Sequence, residues 1–278
     1  MHRPFFPLAP WRAVAIITIL LTTAFPALTA HAGVAGVELP KHRPIPILTY
    51  HRFGYAPGDS VTVRVDSFVS HLRAIRHAGF QVVPLEQVLA WYRGDVNTLP
   101  ERAVVITIDD GHRSVYDVLR PLLRERHWPI PITLFIYPSA ISNASDALTW
   151  EELRTMKQDG FFTIESHAYW HPNFRSERAL RDAASFRAFV LEQLVHARSR
   201  ISAETGATAT CIAWPFGIHD TELEALAVDA GYVAGFTSEP RPVTRAETVM
   251  ALPRYPINDV CGEECIWGIL RETDPYHD

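Results

Sequence analysis

From residue 45 onward, short apolar runs alternate with amphipathic stretches. Residues 45–50 read as a strand. Phe68, Leu72 and Ile75 fall at helical spacing, and Gly79 closes that pattern. Residues 81–85 predict a short extended piece and 86–92 a helix. The run at 103–108 is continuous and β-branched, the pattern of a strand buried on both faces of a parallel sheet. A helix is predicted over 115–126, a strand over 132–136, and a helix capped by Thr149 with Glu152 as box partner. Then follow a strand at 161–165, one long helix over 178–204, a strand at 210–214, a helix over 221–230 and a strand at 233–237. Strand and helix alternating at this spacing predict an α/β fold with a parallel sheet. At least six such strands favour a barrel with outer helices over an open sheet.

The first thirty residues follow another pattern. His2, Arg3 and Arg12 precede an apolar run from Ala13 to Leu21, and Ala30-His31-Ala32 offers a small-x-small cleavage site. That is the layout of a secretory signal peptide over residues 1–32. The alternative is an uncleaved anchor, for which the run is short and interrupted by Thr and Pro. Residues 33–44 read as a linker and 45–278 as the catalytic domain. The mature protein is therefore expected to be secreted or periplasmic, with no membrane span after cleavage.

Composition narrows the picture. The 278 residues are 47% hydrophobic and 21% charged, which excludes a disordered or coiled-coil chain. A net charge of −5 removes the case for a general nucleic-acid binder. Loss of Arg3 and Arg12 with the signal brings the mature chain to −7. Three cysteines in an oxidising compartment predict one disulfide and one leftover thiol among Cys211, Cys261 and Cys265.

Chemistry gathers where the predicted strands end, the edge at which parallel α/β folds place their sites. Asp109-Asp110-Gly111 follows the 103–108 strand. Two adjacent carboxylates leaving a buried strand repel each other, and a divalent cation offsets that best. A solvated turn is the plain alternative. His167 and His171 are four apart and can face one ion. With Asp110 they make two nitrogens and one oxygen, leaving a position open for water, as in hydrolytic zinc sites. Asp109 is then the carboxylate placed to take a proton from that water.

Thr107-Ile108-Asp109-Asp110-Gly111, His167-Ala168-Tyr169-Trp170-His171 and Trp214-Pro215-Phe216-Gly217, in that order, resemble the motifs of the polysaccharide deacetylases of carbohydrate esterase family four. Leu48-Thr49-Tyr50-His51 and Leu252-Pro253-Arg254 resemble the secreted poly-N-acetylglucosamine deacetylase branch. The resemblance implies a distorted (β/α) barrel with fewer than eight regular strands. It implies removal of acetyl groups from N-acetylglucosamine-type polysaccharide, with Asp109 as general base. Asp110, His167 and His171 would hold a divalent ion, zinc first, with cobalt or nickel as other occupants. The backbone N–H of Phe216 would help hold the oxyanion.

The chain also departs from that family. Many members carry an arginine where this chain has Ala213, and Arg254 is the candidate to replace it. Many end on a Leu-x-His segment that supplies an acid, which is absent here, leaving His51 and His112 as positional candidates. Aromatic residues cluster near the same rims: Tyr137, Trp150, Tyr169, Trp170, Trp214 and Phe216. Tyr169, Trp170 and Trp214, with Pro215, are expected to line the sugar pocket. Two other readings stay open: a non-catalytic glycan-binding protein on the same barrel, and a metal-dependent O-acetyl esterase.

Overall fold

The computed structural model describes residues 44–95 and 99–273. The stretches read as signal peptide and, apart from Pro44, as linker lie outside those residues.

The strands are β1 (Ile47–Tyr50), β2 (Arg52–Gly54), β3 (Thr62–Arg64), β4 (Gln81–Val82), β5 (Ala103–Asp110), β6 (Ile132–Ile136), β7 (Phe162–Ser166), β8 (Cys211–Ala213), β9 (Ala234–Phe236) and β10 (Tyr255–Pro256). Seven of them run β10-β1-β5-β6-β7-β8-β9, all neighbours parallel, and β4 adds to the start of β5. The chain from 249 to 256 brings the two ends together. Leu252 donates its N–H to the Gly235 carbonyl and accepts from Thr237 N–H, while Tyr255 is in register with Leu48. The result is a distorted (β/α) barrel, and its closing strand is irregular.

The helices are α1 (Val65–His77), α2 (Leu85–Arg93), α3 (Arg120–Glu125), α4 (Trp150–Gln158), α5 (Phe174–Ala179), α6 (Ala183–Thr205), α7 (Thr221–Asp229) and α8 (Glu263–Glu272). Alternate residues of each strand separate two cores, because side chains of a strand alternate faces. Leu48, Ile106, Leu134 and Ile164 pack outward with Phe68, Leu119 and Leu153. Ile47, Val105, Phe135, Ala213 and Phe236 pack inward, and Leu85, Val88 and Leu89 of α2 join them.

The interior changes character along β5. Val105, Thr107 and Asp109 occupy its inward positions in turn, moving from apolar to hydroxyl to carboxylate. The Thr107 hydroxyl hydrogen-bonds Thr49 Oγ1 at 3.0 Å, and Thr163 meets Thr133 at 3.0 Å. Along β5 the polar side chains thus lie toward the C-terminal end of the strand.

Several boundaries differ from the sequence reading. The capping box forms as predicted, with Thr149 Oγ1 accepting from Glu152 N–H and Glu152 Oε2 accepting from Thr149 N–H. The helix predicted over 115–126 instead opens with a π turn at Val115–Leu119 before α3. The long helix over 178–204 divides into α5 and α6, because Asp182 accepts from Ser185 N–H and starts a new helix. Strands β2, β3 and β10 and helix α8 have no forerunner in that reading. Two- and three-residue strands carry too few positions to show a period. The disulfide joins Cys261 to Cys265, and Cys211 is a buried free thiol.

Candidate active site

Asp109 and Asp110 end β5. Asp110 has φ 72° and Gly111 φ 75°. This left-handed pair turns the chain so that adjacent carboxylates serve one cavity. A Cβ on Gly111 would stand 3.0 Å from Ile141 Cδ1 and 3.1 Å from Ile136 Cγ2, so glycine is needed for space as well as conformation.

His167 follows β7, and its Nδ1 lies 2.7 Å from the Ala213 carbonyl. A carbonyl can only accept, so Nδ1 carries the proton and Nε2 presents its lone pair. Ala168 (φ 61°) and His171 (φ 60°) bend the intervening turn back on itself. The two imidazoles then meet edge to face, with centroids 4.5 Å apart. Non-glycine residues at such φ carry strain of about 1–3 kcal/mol each, which persists where the surroundings overdetermine it.

The donor atoms converge. His167 Nε2 is 3.7 Å and His171 Nε2 3.9 Å from Asp110 Oδ1. All three donors lie within 4.8 Å of one another. These separations are too long for hydrogen bonds. They slightly exceed the spacing of about 3.4 Å that tetrahedral coordination with bonds of about 2.0–2.1 Å implies. Two imidazole nitrogens and one carboxylate oxygen are also the donor set of a hydrolytic zinc site. The residues therefore fit a divalent ion. Burial holds His171 well below the ordinary imidazole range, which favours the form able to ligate.

Asp109 is 3% exposed and Arg254 is 0% exposed. Nη1 of Arg254 donates to Asp109 Oδ1 at 2.8 Å and Nη2 to Oδ2 at 2.7 Å, a two-pronged pair. The rest of the guanidinium is also held: Nε donates to the Thr237 carbonyl at 2.9 Å and Nη1 to Thr107 Oγ1 at 3.2 Å. Burial by itself would raise the pKa of Asp109. The Arg254 charge and hydrogen bonds overcome it and hold the carboxyl at about 2. Oδ2 of Asp109 stands 3.8 Å from His167 Nε2.

His51 follows Tyr50, which is in register with Ile108, so it stands at the same strand-end edge as Asp109. His112 is placed otherwise. Its Nδ1 is tied to Ser114 Oγ at 2.8 Å, and that hydroxyl accepts from Phe53 N–H, so the group secures a loop.

The aromatic residues divide. Phe216 is 62% exposed, has φ 57°, and its ring centroid is 4.5 Å from that of His171. Tyr137 borders His171 from another side at 5.5 Å. Trp170 is 42% exposed. Tyr169 is half-buried and stacks on the exposed His196 of α6 at 4.0 Å. Two expectations need correction. Trp214 is fully buried among Phe174, Ile212 and Leu226, and its indole N–H donates to the Met250 carbonyl at 2.8 Å. Pro215 is buried as well. The turn that exposes Phe216 seats its two predecessors in the core, not on an open pocket wall.

Two contributors had no sequence signal. The Ala213 carbonyl orients His167 through its backbone, to which residue identity is indifferent. Glu165 ends the same strand as the site, yet its carboxylate accepts from Thr210 and Cys211 N–H at 2.7 and 2.8 Å. It completes the β8 edge where only Ser166 and Ile212 pair β7 with β8, and burial pushes it up to about 7.

A family model described as polysaccharide deacetylase matches residues 96–235. The Bacillus subtilis (strain 168) protein YxkH is 26% identical over 228 residues, covering 81% of this chain and 75% of that one. The poly-beta-1,6-N-acetyl-D-glucosamine N-deacetylase of Staphylococcus aureus (strain MRSA252) is 23% identical over 219 residues, 77% of this chain and 74% of the relative. Among solved structures, the Streptococcus pyogenes deacetylase PplD in complex with acetate superposes with a TM-score of 0.69 at 22% identity, covering 82% of this chain and 98% of that one. With half of the chain matched by the family model, and the Asp/His/His cluster inside the matched span, the chain belongs to the polysaccharide deacetylase family.

Proposed function

We propose that the protein is a metal-dependent N-deacetylase of N-acetylglucosamine-type polysaccharide. One observation carries the reading: a buried carboxylate, Asp109, clamped by Arg254 beside the Asp110–His167–His171 cluster. A glycan-binding module has no use for that carboxylate. Asp110, His167 and His171 would hold the ion, zinc by donor type, which when bound supplies Lewis acidity toward the acetyl carbonyl and an adjacent water.

The remaining steps fall to the chain's own groups. Asp109 takes a proton from the attacking water. Its clamp keeps it ionised across the working range but also makes it a weak base, so the water must itself be acidified. The Phe216 N–H donates to the acetyl oxygen as negative charge develops there. The C–N bond then breaks, acetate leaves, and the sugar nitrogen needs a proton, for which His51 is the candidate donor. The S. aureus relative, an N-deacetylase by name, supports this choice over an O-acetyl esterase. Acetate release from N-acetylated and O-acetylated oligosaccharides, with metal content measured in parallel, tests it. Release only from the O-acetylated set would favour the esterase, and no release from either the binding-protein reading.

His167→Ala removes an oriented donor, and the variant is expected to come off a metal-buffered column with less than about a tenth of the native metal. Full occupancy would remove His167 from the ligand set.

Export is a separate part of the proposal. Among the described residues no helix is long and apolar enough to cross a membrane. Mass spectrometry of protein recovered from the periplasmic or secreted fraction is expected to find a chain beginning at Gly33. An intact Met1 in the membrane fraction would support an anchor instead.

A further inference from the structure

Trp170 is exposed, immediately before the candidate ligand His171, while its other neighbour, Tyr169, is half-buried against His196. Its position is set by helix α6, not by a free loop. The Trp170 N–H donates to Gln193 Oε1 at 3.2 Å, and Gln193 is itself buried. Phe189, one turn earlier on α6, meets the indole edge to face at 6.0 Å. Arg181 lies 4.1 Å over the Phe189 ring and pairs with the Glu177 carboxylate. An open indole fixed by a helix, backed by a second ring that a guanidinium holds, is a rigid apolar step adjoining His171 in the chain. The C–H face of a pyranose fits such a step, and its hydroxyls stay in water at the edges.

We infer that Trp170 and Phe189 form a subsite for the N-acetylglucosamine unit adjoining the one that is deacetylated, so that the protein reads a chain and not a single sugar. The inference rests on the N-deacetylase reading for the identity of the sugar. Continuity with the site argues for this occupant, since the step begins one residue from His171.

Binding tests it independently of turnover. In an Asp109→Asn background, titration calorimetry with β-1,6-linked N-acetylglucosamine oligomers of one to five units is expected to show affinity rising with length. Trp170→Ala should lower the pentamer-to-monomer affinity ratio about tenfold, the worth of one stacked ring. Trp170→Phe should restore most of it, and Phe189→Ala should lower it about threefold. Metal content of each variant is measured alongside. If Trp170→Ala disturbs His171, Phe189→Ala and Trp170→Phe decide the matter. An unchanged ratio in Trp170→Ala and Phe189→Ala overturns the subsite. Acetate release by the native protein is the separate arm: none from any oligomer overturns the deacetylase reading and leaves the affinity ratio to stand or fall by itself.

Discussion

Asp109→Asn is expected to keep its metal and lose acetate release by roughly 10²–10⁴-fold in kcat, the usual worth of a placed general base. The substitution preserves shape. The asparagine oxygen still accepts from Arg254, while the amide cannot take a proton from water. Asp110, His167 and His171 are untouched, so metal content separates this variant from His167→Ala. The change also leaves the Arg254 guanidinium buried beside a neutral partner, so some loss of thermal stability accompanies it. Circular dichroism establishes the fold before the rates are compared. A correctly folded, metal-loaded Asp109→Asn that works at the native rate would remove Asp109 from the role of base.

The largest stability effect is expected at Arg254→Met. Methionine fills similar volume but strands the Asp109 carboxylate, 3% exposed, without its partner. Breaking a buried pair from one side costs about 3–5 kcal/mol. For a domain of this size that corresponds to a fall in Tm of roughly 10 °C. The double variant Asp109→Asn with Arg254→Met removes both charges and should recover much of the loss, giving a coupling energy of at least about 1 kcal/mol in the cycle. Arg254→Lys keeps the charge without the two-pronged fork and should fall between. Thermal melts of the four proteins suffice. A single Arg254→Met variant as stable as the native protein would show that the pair contributes little.

Much of the fold was legible because its signals are local. The β-branched run before Asp109, the Thr149–Glu152 box and the strand–helix alternation each depend on a few neighbouring residues. The candidate metal-binding residues were legible for the same reason. Asp110 sits at a strand end, and His167 and His171 are one turn apart. Trp214 misled because a tryptophan beside a proline-glycine turn looks alike whether its ring faces solvent or core. The left-handed backbone at Phe216 decides that, and a single sequence carries no mark of it.

The sequence by itself determined the α/β class, the order of the strands β5 to β9 and the side chains able to hold an ion. Period-2 and period-3.6 patterns and strand-end positions are properties of the local backbone. Only the tertiary structure decided that Arg254 clamps Asp109 across 145 residues, that the Ala213 carbonyl orients His167, and that Phe216 and Trp170 stay exposed while Trp214 is buried. Those contacts depend on which distant strand closes the barrel and on how its turns tilt, and closure is a balance summed over the whole core that no short stretch of chain encodes.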